Sequence, residues 1–315
     1  MRKKISLVGS GNIGGTLAHL IALKELGDIT LIDIVKGVPQ GKALDLAQSS
    51  SVELFDVNIE GSNNYSSLKN SDVVIITAGI PRLPGMSRDD LLETNTKIIS
   101  TIGKAVKKYC PKAFLICITN PLDAMVSILQ SSSKVKHHMC VGMAGILDSS
   151  RMKYFLSKAL NVSIKSIETF VLGGHGDTMV PMIRYTTISG IPIQELIKNK
   201  TISKKRVNDI LKRTQNGGGE INRLLKKGSA FYAPASSAVQ MAESFLKNKK
   251  MILPCAAYLN GEYGVKGLYV GVPVIIGSKG VEKVIKLQLT AIEKKQFNNS
   301  VKAVRKLTNL ALKLS

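Results

Sequence analysis

Apolar residues in the first half of the chain form short, nearly continuous runs, separated by segments with a helical period. Runs of this kind are typical of parallel strands that are covered on both faces. The predicted strands are residues 4–8, 29–32, 73–77, 114–119 and 139–143. Strands that alternate with helices in this way predict an α/β fold with a doubly wound parallel sheet.

The second half of the chain has longer helical patterns and fewer strands. The predicted elements are a strand at 169–172, helices at 207–225 and 236–246, strands at 251–257 and 268–276, the latter interrupted by Gly and Pro, and a lysine-rich helix from about Glu282 onward. Helices and strands without regular alternation indicate an α+β domain. We therefore predict a first domain at residues 1–145 and a second at residues 146–315.

The composition is typical of a globular protein. Hydrophobic residues make up 44% of the 315 residues, and no apolar stretch is long enough to span a membrane. None of the four cysteines lies in a CxxC pair, and the apolar runs around Cys117 and Cys140 predict buried free thiols. The basic N-terminus leads into an apolar run that is too short for a signal peptide. We expect a cytoplasmic protein without a metal site.

The formal net charge of +22 leaves two interpretations open. A polyanion such as a nucleic acid could be the partner. However, the basic residues are scattered, aromatic residues make up only 5% and tryptophan is absent, so surfaces on which bases could stack are scarce. We therefore expect a lysine-rich surface, no nucleic-acid or membrane partner, and a positive field that could attract an anionic substrate.

A glycine-rich turn follows the first predicted strand and opens the next helix. It consists of Gly9, Ser10, Gly11, Asn12, Ile13 and Gly14, a GxGxxG pattern. In Rossmann sheets these glycines allow the tight turn, the approach of a pyrophosphate and close packing of the helix. Asp33 ends the second strand at the spacing of the acid that binds ribose hydroxyls, which favours NAD over NADP. The alternative is an unrelated glycine-rich turn, with Asp33 as a helix cap.

His175 is the histidine whose position indicates chemistry. It lies in the glycine-framed turn 173–177, at the end of a predicted strand, where α/β folds place their active sites. The alternative is a solvated loop histidine. Asp148 and Arg151 share one face of a predicted helix. They are either a surface ion pair or have separate partners, with Asp148 orienting a histidine and Arg151 binding a carboxylate.

Further candidates follow the third and fourth predicted strands. Arg82 and Arg88 lie in a segment with Pro and Gly, which suits a loop that closes over a ligand. A solvated basic turn is the alternative. Asn120 ends the fourth strand, where it could cap a helix or contact a ligand. The patterns around these three residues do not decide between the two roles.

The combination of these motifs resembles the L-lactate/L-malate dehydrogenase family, and within it the malate dehydrogenases of the lactate-dehydrogenase-like branch. The resemblance extends from Lys4 to about residue 310. It implies a first domain that binds NAD and a second domain that binds the substrate and carries catalytic residues. It also implies a homo-oligomer, either a tetramer or a dimer, that works in the tricarboxylic acid cycle.

The resemblance assigns roles to individual residues. The expected catalytic residues are His175 as proton donor, Asp148 as its partner and Arg88, which polarises the reacting carbonyl. The expected substrate-binding residues are Arg82, Arg88, Asn120 and Arg151. The expected cofactor-binding residues are Gly9, Gly11, Asn12, Ile13, Gly14, Asp33, Thr77, Ala78, Gly79, Asn95 and Asn120.

Arg82 determines which substrate the resemblance implies. Malate enzymes of the family carry Arg at the matching position, whereas lactate enzymes usually carry Gln. An arginine pairs with the second carboxylate of malate or oxaloacetate, and pyruvate would leave it unpaired. The expected reaction is reversible hydride transfer between L-malate and oxaloacetate. The alternatives are an L-lactate dehydrogenase, an enzyme with both activities, and a non-catalytic NAD- or nucleic-acid-binding protein.

Overall fold

In the computed structural model of the protein, residues 2–81 and 88–315 are described. The strands of the first half are β1 (Lys4–Val8), β2 (Asp28–Ile32), β3 (Ile59–Ser62), β4 (Val73–Ile76), β5 (Phe114–Cys117) and β6 (Cys140–Gly142). They are parallel and lie in the order β6-β5-β4-β1-β2-β3. Because this is the strand order of a Rossmann sheet, the predicted fold class is confirmed.

The strands of the first half differ from the prediction at one edge and at several ends. The strand predicted at 139–143 spans only Cys140–Gly142, and the one predicted at 29–32 begins at Asp28. β3 has no predicted counterpart, because Ile59 is its only buried residue and an edge strand with so little buried surface shows no apolar run. The strands predicted at 73–77 and 114–119 end one and two residues earlier, at Ile76 and Cys117.

Helices cover both faces of the parallel strands. They are α1 (Asn12–Leu23), α2 (Val38–Glu53), α3 (Arg88–Tyr109) and α4 (Leu122–Ser133). In β4, Val73 and Ile75 belong to the core that includes α1, while Val74 and Ile76 belong to the core that includes α3 and α4. Successive side chains of a strand point to opposite faces, so a strand between two cores needs an uninterrupted apolar run.

The second half of the chain mixes helices with short and long strands, as predicted. Its helices are α5 (Gly145–Leu160), α6 (Ile193–Lys198), α7 (Lys204–Gln215), α8 (Gly217–Leu225), α9 (Tyr232–Leu246) and α10 (Ala291–Leu314). Its strands are β7 (Ile167–Glu168), β8 (Val171–Leu172), β9 (Val180–Pro181), β10 (Thr187–Ile188), β11 (Ile191–Pro192), β12 (Met251–Asn260), β13 (Lys266–Gly277) and β14 (Gly280–Val284).

Three antiparallel strands of the second half extend the parallel sheet. β12 pairs with β6 through Ala256 and Gly142. In the described chain this sheet has nine strands, in the order β14-β13-β12-β6-β5-β4-β1-β2-β3. α9 packs on α1 at one face of the sheet, and α10 packs on α3 and α4 at the other. The two halves share a sheet and two cores, and the division after residue 145 stays a prediction.

Three helix predictions in the second half are wrong in their bounds, and one of them, at 236–246, begins earlier than predicted, at Tyr232. The helix predicted at 207–225 is divided into α7 and α8 at Asn216, where glycines with low helix propensity follow. The helix predicted from Glu282 starts only at Ala291, because residues 280–284 form β14. Thr290 and Glu293 form a capping box there, with reciprocal hydrogen bonds between side chains and backbone.

The interruption predicted in the strand at 268–276 is also wrong, since β13 is continuous from Lys266 to Gly277. Gly271 lies within it and exchanges backbone hydrogen bonds with Gly173, in the loop after β8. A Cβ at Gly271 would overlap the Gly173 carbonyl oxygen. Glycine therefore marks a close approach of two backbones here and does not end the strand.

Phe114 in β5 connects the two halves of the molecule, and its removal should destabilise the fold. It is fully buried and stacks on Phe245 of α9, with the ring centroids 4.5 Å apart. Because Phe114→Ala leaves a cavity, we expect the free energy of unfolding, measured with urea, to fall by about 3–5 kcal/mol. Ile292→Ala, at a side chain that is 73% exposed, is the control. An equal loss in both variants would contradict this role of Phe114.

Candidate active site

The glycine-rich turn between β1 and α1 is open on the side where a phosphate would bind. Gly9 has a φ of +104°, and a Cβ there would collide with the segment after β4. A Cβ at Gly14 would overlap the Gly9 carbonyl oxygen, whereas one at Gly11 would meet nothing within 4 Å. α1 begins directly after Gly11 with Asn12 and Ile13, and the first N–H groups of a helix lack partners within it. The turn therefore fits the pyrophosphate of a dinucleotide.

The segment after β4 supports this turn. Thr77 Oγ1 donates to the Gly9 carbonyl oxygen at 3.0 Å, and Thr119 Oγ1 donates to the Ala78 carbonyl oxygen at 2.7 Å. Gly79 has a φ of +156°, and a Cβ there would lie 2.5 Å from the Thr119 side chain. Thr77, Ala78 and Gly79 thus lie at the carboxyl edge of the parallel strands. Their contact with the cofactor stays a prediction.

Asp33 at the end of β2 is held by two backbone N–H groups. Its Oδ2 accepts from Ser10 at 2.7 Å, and its Oδ1 accepts from Val35 at 3.0 Å. The next helix, α2, begins at Val38 after Gly37, so the alternative of Asp33 as a helix cap is wrong. Each carboxylate oxygen has a second lone pair. The carboxylate therefore keeps acceptor capacity for the hydroxyls of a ribose.

Asn95 of α3 joins the loops that follow β4 and β5. Its side-chain oxygen accepts from Ile80 N–H at 2.9 Å, and its amide donates to the Asn120 carbonyl oxygen at 2.7 Å. Asn95 is only 1% exposed. Asn120 itself precedes α4, and its side-chain oxygen accepts from Leu122 N–H at 3.3 Å. Asn95 therefore holds these two loops together. Direct contact of Asn95 or Asn120 with the cofactor stays a prediction.

The buried carboxylate of Asp148, in the first turn of α5, holds a histidine and an arginine. Its Oδ2 lies 2.9 Å from His175 Nδ1, and its Oδ1 accepts from Arg151 Nη1 at 2.9 Å. The Asp148 and Arg151 side chains are 1% and 13% exposed, so the alternative of a surface ion pair is wrong. The expectation that Asp148 and Arg151 have separate partners is also incomplete, because Asp148 binds both His175 and Arg151.

His175 is presented by a glycine-rich loop after β8. Gly173 and Gly176 have φ of +84° and +143°, values that favour glycine. Two side chains from distant elements hold the loop. Ser300 Oγ of α10 accepts from Gly174 N–H at 2.8 Å, and Asp123 Oδ2 of α4 accepts from His175 N–H at 2.9 Å. The alternative of a solvated loop histidine is therefore wrong.

The charges around His175 favour its protonated form. Burial and, to a smaller extent, the charge of Arg151 lower the pKa of His175. The charge and hydrogen bond of Asp148 and the charge of Asp123 raise it, so that the net pKa lies above the usual histidine value. Burial raises the pKa of Asp123 to about 6. Because Nδ1 is held by Asp148, Nε2 is the ring nitrogen that can exchange a proton with a ligand.

A cavity of about 370 Å³ lies beside this group. His175, Arg151 and Asn120 contribute to its polar lining. Its apolar lining consists of Ile13, Ile118, Met143, Leu147, Met179, Ala230 and Pro234. Arg151 Nε is buried and has no hydrogen-bond partner within residues 2–81 and 88–315. Buried donors are nearly always satisfied, so this unpaired nitrogen and the place of Arg151 in the cavity lining together point to an anionic ligand.

The side chains of the two arginines that follow the third predicted strand are outside the part of the chain that the structure describes. Arg82 lies outside the described residues. Arg88 begins α3, and its side chain also lies outside the described part of the chain. Their roles stay predictions.

Sequence reasoning missed three residues that support the site. Lys42 Nζ of α2 donates to the Gly11 carbonyl oxygen at 2.9 Å. Asp123 is an acid in the first turn of α4, where a carboxylate is favourable in any helix, so its contact with His175 had no signal in the sequence. Ser300 had none either, because it lies 126 positions after the residue that it binds.

Two negative findings apply to residues 2–81 and 88–315. They contain no group of three or more His, Cys, Asp or Glu side chains that could hold a metal ion. None of their helices is long and apolar enough to cross a membrane. The four cysteines are free and buried, which confirms the prediction for Cys117 and Cys140.

Family models match almost the whole chain in two consecutive parts. Residues 3–142 match the NAD-binding domain of lactate/malate dehydrogenases. Residues 146–314 match the alpha/beta C-terminal domain of the same family.

Solved structures similar to this chain include both malate and lactate dehydrogenases. Malate dehydrogenase from Cryptosporidium parvum is 50% identical, with a TM-score of 0.96 and 98% of each chain covered. Lactate dehydrogenase from Eimeria maxima, with NADH and oxamate, is 51% identical, with a TM-score of 0.97 and coverage of 100% of this chain and 95% of that chain. Lactate dehydrogenase from C. parvum, with lactic acid and NAD, is 43% identical, with a TM-score of 0.96 and coverage of 99% and 98%. The chain therefore belongs to the lactate/malate dehydrogenase family and is an NAD-dependent 2-hydroxy acid dehydrogenase.

Proposed function

We propose that the protein is an L-malate dehydrogenase, which transfers a hydride reversibly between L-malate and oxaloacetate. The observation that carries the proposal is the buried Asp148 carboxylate, which holds His175 and Arg151 beside one cavity. Oxidation of a 2-hydroxy acid needs an acid–base group and a carboxylate-binding group at a fixed distance from each other. The choice of malate within this class rests on Arg82 in the sequence.

Arg151 is suited to bind the carboxylate next to the reacting carbon. Asp148 fixes its guanidinium through Nη1, while its buried Nε lacks a partner among the described residues. A guanidinium binds a carboxylate through two parallel hydrogen bonds. An arginine that is already oriented loses little side-chain entropy on binding. A substrate carboxylate bound by Arg151 would place the hydroxyl or keto carbon of the substrate near His175.

His175 is suited to move the proton that accompanies the hydride. When bound, NAD supplies the acceptor or donor of the hydride. Protonated His175 donates to the oxygen of oxaloacetate, and neutral His175 accepts the hydroxyl proton of malate. The raised pKa of His175 keeps the protonated form present at higher pH than for an ordinary histidine. Reduction should therefore weaken, and oxidation strengthen, as the pH rises through this pKa.

Arg82 and Arg88 complete the proposed site from the segment after β4. Arg82 pairs with the second carboxylate of malate or oxaloacetate, which a pyruvate methyl group could not replace. Arg88 stabilises the negative charge that develops on the reacting oxygen. What supports both roles is the sequence, in which both arginines follow the residues of β4.

An L-lactate dehydrogenase or an enzyme with both activities is the second candidate. The observation in its favour is that lactate dehydrogenase from E. maxima and malate dehydrogenase from C. parvum are almost equally similar to this chain, at 51% and 50% identity. Overall similarity therefore does not distinguish the two substrates. The side chain opposite the second substrate carboxylate is what should distinguish them.

We further propose that the enzyme is a homo-oligomer, a dimer or a tetramer. The support lies along α2 and its end, where Leu44, Val52 and Leu54 are 61%, 78% and 84% exposed. Apolar side chains grouped on one surface element are typical of a protein–protein interface. We also propose that the enzyme is cytoplasmic and works in the tricarboxylic acid cycle, a setting that malate oxidation would fit.

A comparison of oxaloacetate and pyruvate tests the substrate. NADH oxidation, followed by its near-ultraviolet absorbance, should give a kcat/KM for oxaloacetate at least ~100-fold above that for pyruvate, because pyruvate leaves Arg82 unpaired. Arg82→Gln should reduce this ratio by a similar factor. Equal or greater activity with pyruvate in the wild type would show that Arg82 does not determine the substrate.

Replacement of His175 tests the proton donor. His175→Asn should lower kcat by roughly 10²-fold or more while NADH binding, measured by fluorescence, stays near the wild-type value. His138→Asn, at an exposed histidine, is the matched control and should leave both quantities unchanged. Turnover of His175→Asn at the wild-type rate would rule out this role.

Replacement of Arg88 tests the stabilisation of charge on the reacting oxygen. Arg88→Gln should lower kcat by about 10²-fold and change NADH affinity far less. Arg206→Gln, at an exposed position of α7, removes a guanidinium away from the cavity lining and serves as control. An effect confined to NADH affinity would contradict the proposed role.

A further inference from the structure

Asp123 is a second buried carboxylate close to His175. It lies in the first turn of α4 and is 5% exposed. Its Oδ2 accepts from the His175 backbone N–H at 2.9 Å. Its Oδ1 is buried and has no hydrogen-bond partner in the part of the chain that the structure describes. The proton transfer derived above uses Asp148 and leaves Asp123 without an assigned role.

Burial makes the ionised form of Asp123 energetically unfavourable at this position, which suggests that its charge has a role in the site. A carboxylate in the first turn of a helix is favourable at a solvated surface, but burial with one oxygen unpaired disfavours the ionised form. Gly174 provides the space for this contact, because a Cβ there would lie 3.2 Å from Asp123 Oδ2 and would overlap the side chain of Val304 more closely. The loop and the carboxylate therefore fit each other.

The charges that act on Asp123 come from two neighbouring elements, the His175 loop and α5. Burial raises its pKa to about 6, the amide and charge of His175 lower it, and the charge of Asp148 on α5 raises it. Burial also raises the pKa of Cys117 on β5 to about 12, so that this thiol is neutral at physiological pH. α10 presents the uncharged hydroxyl of Ser300 to the same loop. His175 is thus the positive partner of Asp123.

We propose that Asp123 is a positioning residue that fixes the His175 loop through the backbone amide and, by its charge, sets the pH at which His175 exchanges its proton. The inference rests on the proposed function, in which His175 is the proton donor. Asp123 acts through His175 and does not line the cavity. His175 is therefore held by two carboxylates, with Asp148 bound to the ring and Asp123 bound to the main chain.

Asp123→Asn separates the charge from the hydrogen bond, because the amide keeps the volume and an oxygen acceptor. The chain contains four histidines, so ¹³C-labelled histidine gives few NMR signals, and His175→Asn assigns the relevant one. We expect the pKa of His175, read from this signal, to fall by about 0.5–1 unit in Asp123→Asn. The alkaline limb of the pH profile for oxaloacetate reduction should move to lower pH by the same amount. Asp45→Asn, which removes an exposed charge on α2, is the control and should move neither.

An unchanged His175 pKa and pH profile in Asp123→Asn would overturn the proposal, even if the variant were less stable or slower, since a merely structural residue would give that result. Asp123→Ser removes the charge and, because its side chain is one bond shorter, also the acceptor of the His175 amide. It should show a fall of the His175 pKa in the same direction and replaces Asp123→Asn if that variant does not fold. The NMR titration needs no substrate. If wild-type protein reduces neither oxaloacetate nor pyruvate, the proposed function fails while the coupling between Asp123 and His175 is still measured.

Discussion

The negative charge of Asp148, buried between α5 and the His175 loop, is the constraint on which the site depends. An ionised carboxylate loses most of its hydration when it is buried, and this cost is offset only by close partners of opposite charge. His175 and Arg151 are these partners, each 2.9 Å from a different oxygen of Asp148. The proposed proton donor and the proposed carboxylate-binding group are therefore held at a fixed relative position by one side chain. Loss of Asp148 would leave both His175 and Arg151 without their shared buried acceptor.

The sheet fixes the position of the His175 loop relative to the cofactor site. The glycine-rich turn, the segment after β4 and Asn120 all follow parallel strands at one edge. The His175 loop is attached to the same sheet, because Gly173 pairs with Gly271 of β13. Both sites are thus fixed to one continuous hydrogen-bonded layer with packed cores on both faces. Such a layer has little freedom to change the distance between cofactor and proton donor.

The sequence predicted those features that leave a local pattern. Strands between two cores need continuous apolar runs, so the central strands were found and the nearly polar edge strand β3 was not. The glycine-rich turn and the spacing of Asp148 and Arg151 are likewise local. Gly271 was misinterpreted as an interruption because its reason is a contact with a loop almost a hundred positions away. The supports from Lys42, Asp123 and Ser300 depend on tertiary contacts of the same kind, which no window of sequence contains.

The hydrogen bond from Ser300 to the His175 loop also has a consequence for the order in which the molecule is completed during synthesis. A chain leaves the ribosome from its N-terminus, and N-terminal domains generally fold first. The strands around the glycine-rich turn can pair early, but α10, which carries Ser300, is made 126 positions after Gly174. A nascent chain can thus acquire the fold that holds a dinucleotide before its histidine loop has the hydrogen bond from Ser300. The full set of contacts around His175 therefore requires the docking of α10.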